Sequence, residues 1–192
     1  MDNDATATDA LAASMAAGSQ LSDPVKVLGN YRYEFTDAGG NILRVEESKN
    51  VVCTLGKNAM LNSFFAGSAY TAAVYMGLIS TASWSAVVAA DSMSSHAGWL
   101  EGGATNVPHY TAPRPTAVFA AASGGSIALS GACSFVFTGS GTVEGAFVVG
   151  GAGATSTIDN TSGILISENT IAAPQPVIST NTLNVSASWT LT

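Results

Sequence analysis

Positive charge is almost missing from most of this chain. Five of its six Lys and Arg residues (Lys26, Arg32, Arg44, Lys49 and Lys57) precede Asn58, and Arg114 is the sole base after it. A nucleic-acid surface needs clustered bases to neutralise phosphates, and here the formal net charge is −7, so that partner class is excluded. Charge of either sign is scarce, at 10% of residues against about 25% in an average globular domain. A surface of Ser, Thr, Gly, Ala and Asn lacks the mixed charge that keeps an isolated monomer soluble. It suits a protein whose faces are covered by copies of itself or by a partner. The two cysteines, Cys53 and Cys133, have no CxxC spacing, so neither a disulfide framework nor a cysteine metal site is expected. Their apolar contexts predict buried free thiols, with a disulfide between them as the alternative. No run reaches the ~18 consecutive apolar residues of a helical membrane span, so no membrane partner is expected. The leading Met-Asp-Asn-Asp lacks the positive stretch of a secretory signal, which predicts assembly inside a cell.

What is present is β-rich and organised around Tyr70–Tyr110. Val74, Tyr75, Met76, Leu78 and Ile79 show too little polar alternation for a one-sided strand and predict one covered on both faces. Asp91–Glu101 then reads as a long loop pinned by Met93 and Trp99. Loops of this length in compact domains are usually functional, and contact is the expected function here.

The N-terminal residues 1–28 stand apart as an Ala/Asp/Ser-rich extended arm, with residues 29–192 forming the main domain. Alone, the arm has too little apolar surface to offset ordering entropy, although Asp9–Ala17 could form a helical turn or two capped by Asp9. The arm is expected to clasp a neighbour. In Asn30–Glu47, Tyr31, Tyr33 and Phe35 alternate with Arg32, Glu34 and Thr36, and Asp37–Asn41 supplies turn chemistry, which together predict a β-hairpin. The bases from Lys26 to Lys57 read as a mixed-charge strand pair beside Glu34, Glu46 and Glu47, with a docking patch for an acidic protein lattice as the alternative. Asn50–Thr54 reads as a further short strand. Leu55–Ala66 predicts the single helix, with Thr54 as N-cap and Gly67 as stop. Its Leu, Met and Phe stripe is expected to fill the core at one open end.

Further strands are expected at Ser126–Ser130 and Cys133–Thr138. Thr142–Val149 is expected to form a hairpin with the latter across a Gly-Ser-Gly turn. Gly163–Ser167 reads as a short strand, and Ile171–Ile178, with Pro174 and Pro176, as a separate edge segment. Thr182–Thr192 alternates strictly, placing Leu183, Val185, Ala187, Trp189 and Leu191 on one face. About eight to ten strands without a βαβ rhythm predict a mainly β fold. The expected architecture is an antiparallel two-sheet sandwich, with a jelly roll among the topologies it admits.

Candidate chemistry is thin. His96 could be drawn into a triad with Asp91 and Ser94 or Ser95, or into a metal site with His109 and Asp91. No nucleophile elbow and no metal-ligand spacing supports either, and His96 is expected to bond loop backbone. No catalytic, cofactor-binding or metal residue is therefore assigned, and no cofactor is expected. Trp84, Trp99 and Tyr110 could stack on a sugar but read better as loop anchors. Arg114, held between two prolines, must pair with a carboxylate or carbonyls, either inside the subunit, with Glu101 as the candidate, or across an interface. The Asn160 and Asn184 sequons read as chance matches.

Several separated blocks occur in an order that resembles a family of tailed-bacteriophage virion proteins. They are Asn50–Leu61 (NVVCTLGKNAML), the Ala-Asp-Ser-Met-Ser-Ser-His-Ala-Gly-Trp-Leu-Glu block ending at Glu101, Tyr110–Pro115 (YTAPRP), Thr142–Val149 (TVEGAFVV) and Leu183–Thr192 (LNVSASWTLT). The resemblance spans roughly Gly29 to Thr192. It implies a small, non-enzymatic β-sandwich component of the virion and brings no catalytic residues. The expected role is a capsid cement, or decoration, protein on the outer shell. Its expected partners are the major capsid protein and copies of itself in a homotrimer. A tail-fibre, tail-tip or adaptor protein is the alternative.

Overall fold

A computed structural model describes residues 26–71 and 73–192. Residues 1–25 of the expected arm lie outside the described residues. The described chain is regular from its start, because β1 (Val27–Thr36) begins inside the segment expected as arm. It is followed by β2 (Ile42–Lys49), β3 (Val51–Val52), α1 (Thr54–Phe65), β4 (Val74–Ser80), β5 (Leu100–Gly102) and β6 (Ser126–Ala128). The series ends with β7 (Cys133–Val136), β8 (Gly141–Gly150), β9 (Ile164–Val177) and β10 (Thr182–Leu191). The strands form two five-stranded antiparallel sheets, the expected sandwich. One runs β2-β1-β10, with β6 and β7 sharing the free edge of β10, and the other runs β3-β9-β8-β4-β5.

The first hairpin forms as the alternation dictates. Tyr31, Tyr33 and Phe35 point into the core, and their rings stand 6.4 and 6.5 Å apart in a ladder. Burying each such side chain contributes about 1.5–3 kcal/mol. At the turn, the Asp37 carboxylate accepts the Gly39 and Asn41 N–H groups, both at 2.9 Å, and Gly40 takes φ +81°. The Asn41 side chain, which also donates to Asp37, leads the hydrogen bonds that hold this carboxyl below its ordinary range.

β10 also behaves as its alternation predicts. Leu183, Val185, Ala187 and Trp189 are buried, while Leu191 at the end is exposed. β4 is the doubly covered strand, lying between β8 and β5. The two sheets are joined by polar bonds as well as apolar packing. Tyr31 Oη meets Ser167 Oγ at 2.6 Å, and Tyr33 donates to Asn169 Oδ1. Buried hydroxyls need such partners, so these bonds fix the relative placement of the sheets.

Two expectations about strand pairing fail. The predicted hairpin of Cys133–Thr138 with Thr142–Val149 does not form, because β7 pairs with β10 in one sheet and β8 with β4 and β9 in the other. The Gly139–Gly141 link crosses between layers. β8 is buried along both faces from Val143 to Gly150, a property of a central strand. The proline-bearing segment is also not separate, since Ile164–Val177 is one fourteen-residue strand. Its prolines are tolerated because β3 covers its outer edge only at Ser167 and Glu168. Beyond that point, side chains from β2 serve the open edge. Glu46 accepts the Ala172 N–H, and Arg44 donates to the Ala173 carbonyl at 3.0 Å. Two bases of this hairpin pair with a glutamate two residues along their own strand: Arg44 bonds Glu46, and Arg32 meets Glu34 at 2.8 Å.

Candidate docking surface

Helix α1 starts from Cys53, which has extended backbone angles and no side-chain cap. Thr54 is thus the first helical residue and not the N-cap. Gly67, at φ +63°, ends the helix in the manner its residue type predicts. Gly56 is the only buried residue of the helix. A Cβ there would lie 2.5 Å from the Ile166 carbonyl oxygen, so glycine is what allows the helix backbone to rest on β9.

This contact overturns the expectation that the helix fills the core. The side touching the body is the glycine side, and the Leu, Met and Phe stripe faces outward. Phe64 and Phe65 are 81% and 78% exposed, with their rings edge-to-face at 4.9 Å. Leu55, Met60 and Leu61 are exposed as well. A helical apolar period reveals that a face needs covering, not what covers it.

The stripe forms one wall of a groove of about 1200 Å³. Val27 and Leu28 of β1, Leu191 of β10, Ile164 and Ile166 of β9, the Gly150–Ala152 connection and Tyr70 complete it. Among the described residues, its only charged lining residues are Lys26 and Lys57. Soluble monomers rarely leave so continuous an apolar patch open, and such patches mark sites of contact.

The residues considered for chemistry are occupied in holding loops. His96 Nδ1 lies 3.0 Å from the Trp99 carbonyl, and its ring stacks on Trp99 at 3.9 Å, so it bonds loop backbone as expected. His109 Nδ1 sits 3.1 Å from the Gly103 carbonyl. Asp91 accepts from the Val88 N–H and from Trp99 Nε1, both at 3.2 Å. The triad drawn from His96, Asp91 and Ser94 or Ser95 therefore has no hydrogen-bond order. Among the described residues, no group of His, Cys, Asp or Glu is arranged to hold a metal. Trp99 and Tyr110 are buried and offer no face to a sugar.

Met93 and Trp99 anchor the long loop as predicted. Beneath Trp99 lies a group that sequence reading missed. Glu168 on β9 accepts Trp99 Nε1 at 2.8 Å and is fully buried. Burial, with Asp91 alongside, pushes its carboxyl up to about 8. A lone glutamate in a strand carries no local pattern that announces such a role. Both cysteines are free and buried, and burial raises Cys53 to about 12 and Cys133 to about 11.

Arg114 resolves to the intramolecular alternative. It is 1% exposed and grips Glu101 through two hydrogen bonds of 2.7 and 2.5 Å. It also donates to the carbonyls of Thr155 and Asn160 at 3.2 and 2.8 Å, and its guanidinium lies 5.4 Å from the Phe147 ring. Burial raises the Glu101 carboxyl, while the arginine opposes that shift. The pair ties two loops to β5, and breaking it would strand a buried charge. No family model, curated protein or solved structure matches this chain.

Proposed function

We propose that this protein is a capsid cement subunit of a tailed-phage particle, acting by contact and not by catalysis. The observation that carries the reading is the apolar groove beside α1, which the described residues leave open, set in a chain poor in charge. The sequence blocks that resemble phage virion proteins point the same way. The protein would work mechanically. A subunit that binds only the assembled lattice stabilises that lattice by mass action, and repeated weak contacts accumulate avidity. The major capsid protein and further copies of the chain, in a homotrimer, are the partners this reading requires.

Labelled protein added to particles that lack it, followed by imaging, tests the proposal. Shell-wide labelling and a rise in the temperature of capsid disruption are expected. Labelling confined to one vertex would instead make it a tail component, and no labelling would remove it from the virion.

A further inference from the structure

The loop between β4 and β5 packs Met93 and Trp99 onto Phe147, Val149 and Leu165. Past its junction with β4, residues 83–99 make only two hydrogen bonds to other elements among the described residues. The Ala89 carbonyl accepts the Thr54 N–H at the start of α1, and Trp99 Nε1 donates to Glu168 Oε2 on β9, both at 2.8 Å. The same indole N–H reaches Asp91 Oδ2 at 3.2 Å, and the two carboxyls also hydrogen-bond each other. That last bond needs a proton, because an ionised carboxylate can only accept. Both residues are buried, and Glu168 Oε1 has no donor to satisfy it. Among the described residues, neither carboxyl pairs with a base. Two negative charges here would share one N–H away from water, which is costly. The other titratable groups around the pair are His96, stacked on Trp99, Cys53 and Lys57 at the root of α1, and Tyr31 from β1 of the opposite sheet.

We propose that Asp91 and Glu168 form a proton-operated latch: one proton held between the two carboxyls locks the loop of residues 83–99 onto β9, and lifting the loop releases that proton to solvent. The latch belongs to the subunit alone, so it stands or falls separately from the cement role. While the loop is closed, burial and the neighbouring Asp91 raise the Glu168 carboxyl from 4.5 to about 8. When the loop lifts, water returns it toward its ordinary value, so opening is coupled to loss of a proton. The lock is complete below about 4.5, weakens as pH rises, and is at its weakest above about 8. Ala89 carries the change to α1, because its carbonyl holds the first N–H of the helix that turns Phe64 and Phe65 outward. Lifting the loop frees that N–H and leaves Gly56 on β9 as the seat of the helix.

Hydrogen exchange of the full chain, followed by mass spectrometry and expressed as protection so that the intrinsic pH dependence cancels, tests the latch. Protection of residues 83–99 and of the start of α1 is expected to fall at least 10-fold between pH 5.5 and pH 8 and to level off above that. The amides of β1 and β10 are expected to keep theirs. Glu168→Gln retains an acceptor for Trp99 Nε1 but cannot ionise, and it should abolish the fall. Asp91→Asn removes the facing charge without touching β9, and it should make the fall level off at a lower pH. His96→Gln leaves both carboxyls in place and should keep the fall. Flat protection in the unsubstituted chain, the same fall in Glu168→Gln, or an equal fall in β1 and β10 would overturn the latch.

Discussion

Two neighbouring positions on β9 carry opposite kinds of surface. At Glu168, the Asp91–Glu101 loop folds inward, and Trp99 and Met93 are sealed away, with the Trp99 indole N–H donating to the Glu168 carboxyl. At Ile166, α1 meets the strand through Gly56 and turns its two phenylalanines outward. The loop spends its aromatic residues on the fold. The helix keeps its own for something outside the subunit. Aromatic content alone does not separate these uses; what separates them is which side of the element is small enough to touch the body.

The contrast is broken most severely from the loop side. Arg114→Ala leaves the Glu101 carboxylate buried without its partner and is expected to cost about 3–5 kcal/mol, read by urea denaturation. Trp99→Ala should cost a similar amount, about 3–5 kcal/mol, by removing the ring over Phe147. A loss below about 1 kcal/mol in both would mean these loops do not hold the fold.

Gly56→Ala forces α1 away from the Ile166 carbonyl and should cost about 1–3 kcal/mol. Disturbed association by the same variant would link the seat of the helix to its outward face.

The carboxyl of Glu168 sharpens the comparison through pH. Its ordinary value is 4.5 and burial lifts it to about 8, so the folded state holds a proton that the unfolded state releases. The stability this protonated carboxyl contributes is fully present below about 4.5 and is lost as pH rises through about 8. Asp91 and the Cys53 thiol face it, and the thiol, raised to about 12, stays neutral across that window. Glu168→Gln should flatten the fall in melting temperature between pH 5 and pH 8.5. An unchanged slope would show that the carboxyl does not control it.

The smallest effect on the subunit belongs to the helix. Phe64→Ser with Phe65→Ser should change unfolding free energy by only about 0.5 kcal/mol per site, because both rings are exposed, while abolishing association.

Much of this was legible in the residues. The Tyr31-Tyr33-Phe35 alternation, the doubly covered β4 and the anchors Met93 and Trp99 follow from local pattern. The need of Arg114 for a partner follows from its isolation, although the residues leave its choice of Glu101 inside the subunit open against an interface. The β7–β8 hairpin was misread because a Gly-Ser-Gly turn can close a hairpin or cross between layers, and pairing is decided by distant strands. The direction of α1 was misread because its apolar stripe was weighed without Gly56, the one residue small enough to let the helix backbone rest on β9. Glu168 was invisible because its environment comes from a loop that lies about seventy residues away in the chain.

The most direct test of whether neighbouring chains complete this protein is thiol labelling at the groove wall. The native thiols are buried, so a Ser68→Cys chain presents one reactive site. The rate should be fast for dilute chain and at least 10-fold slower once the chain is bound to particles. Equal rates in both states would contradict the account.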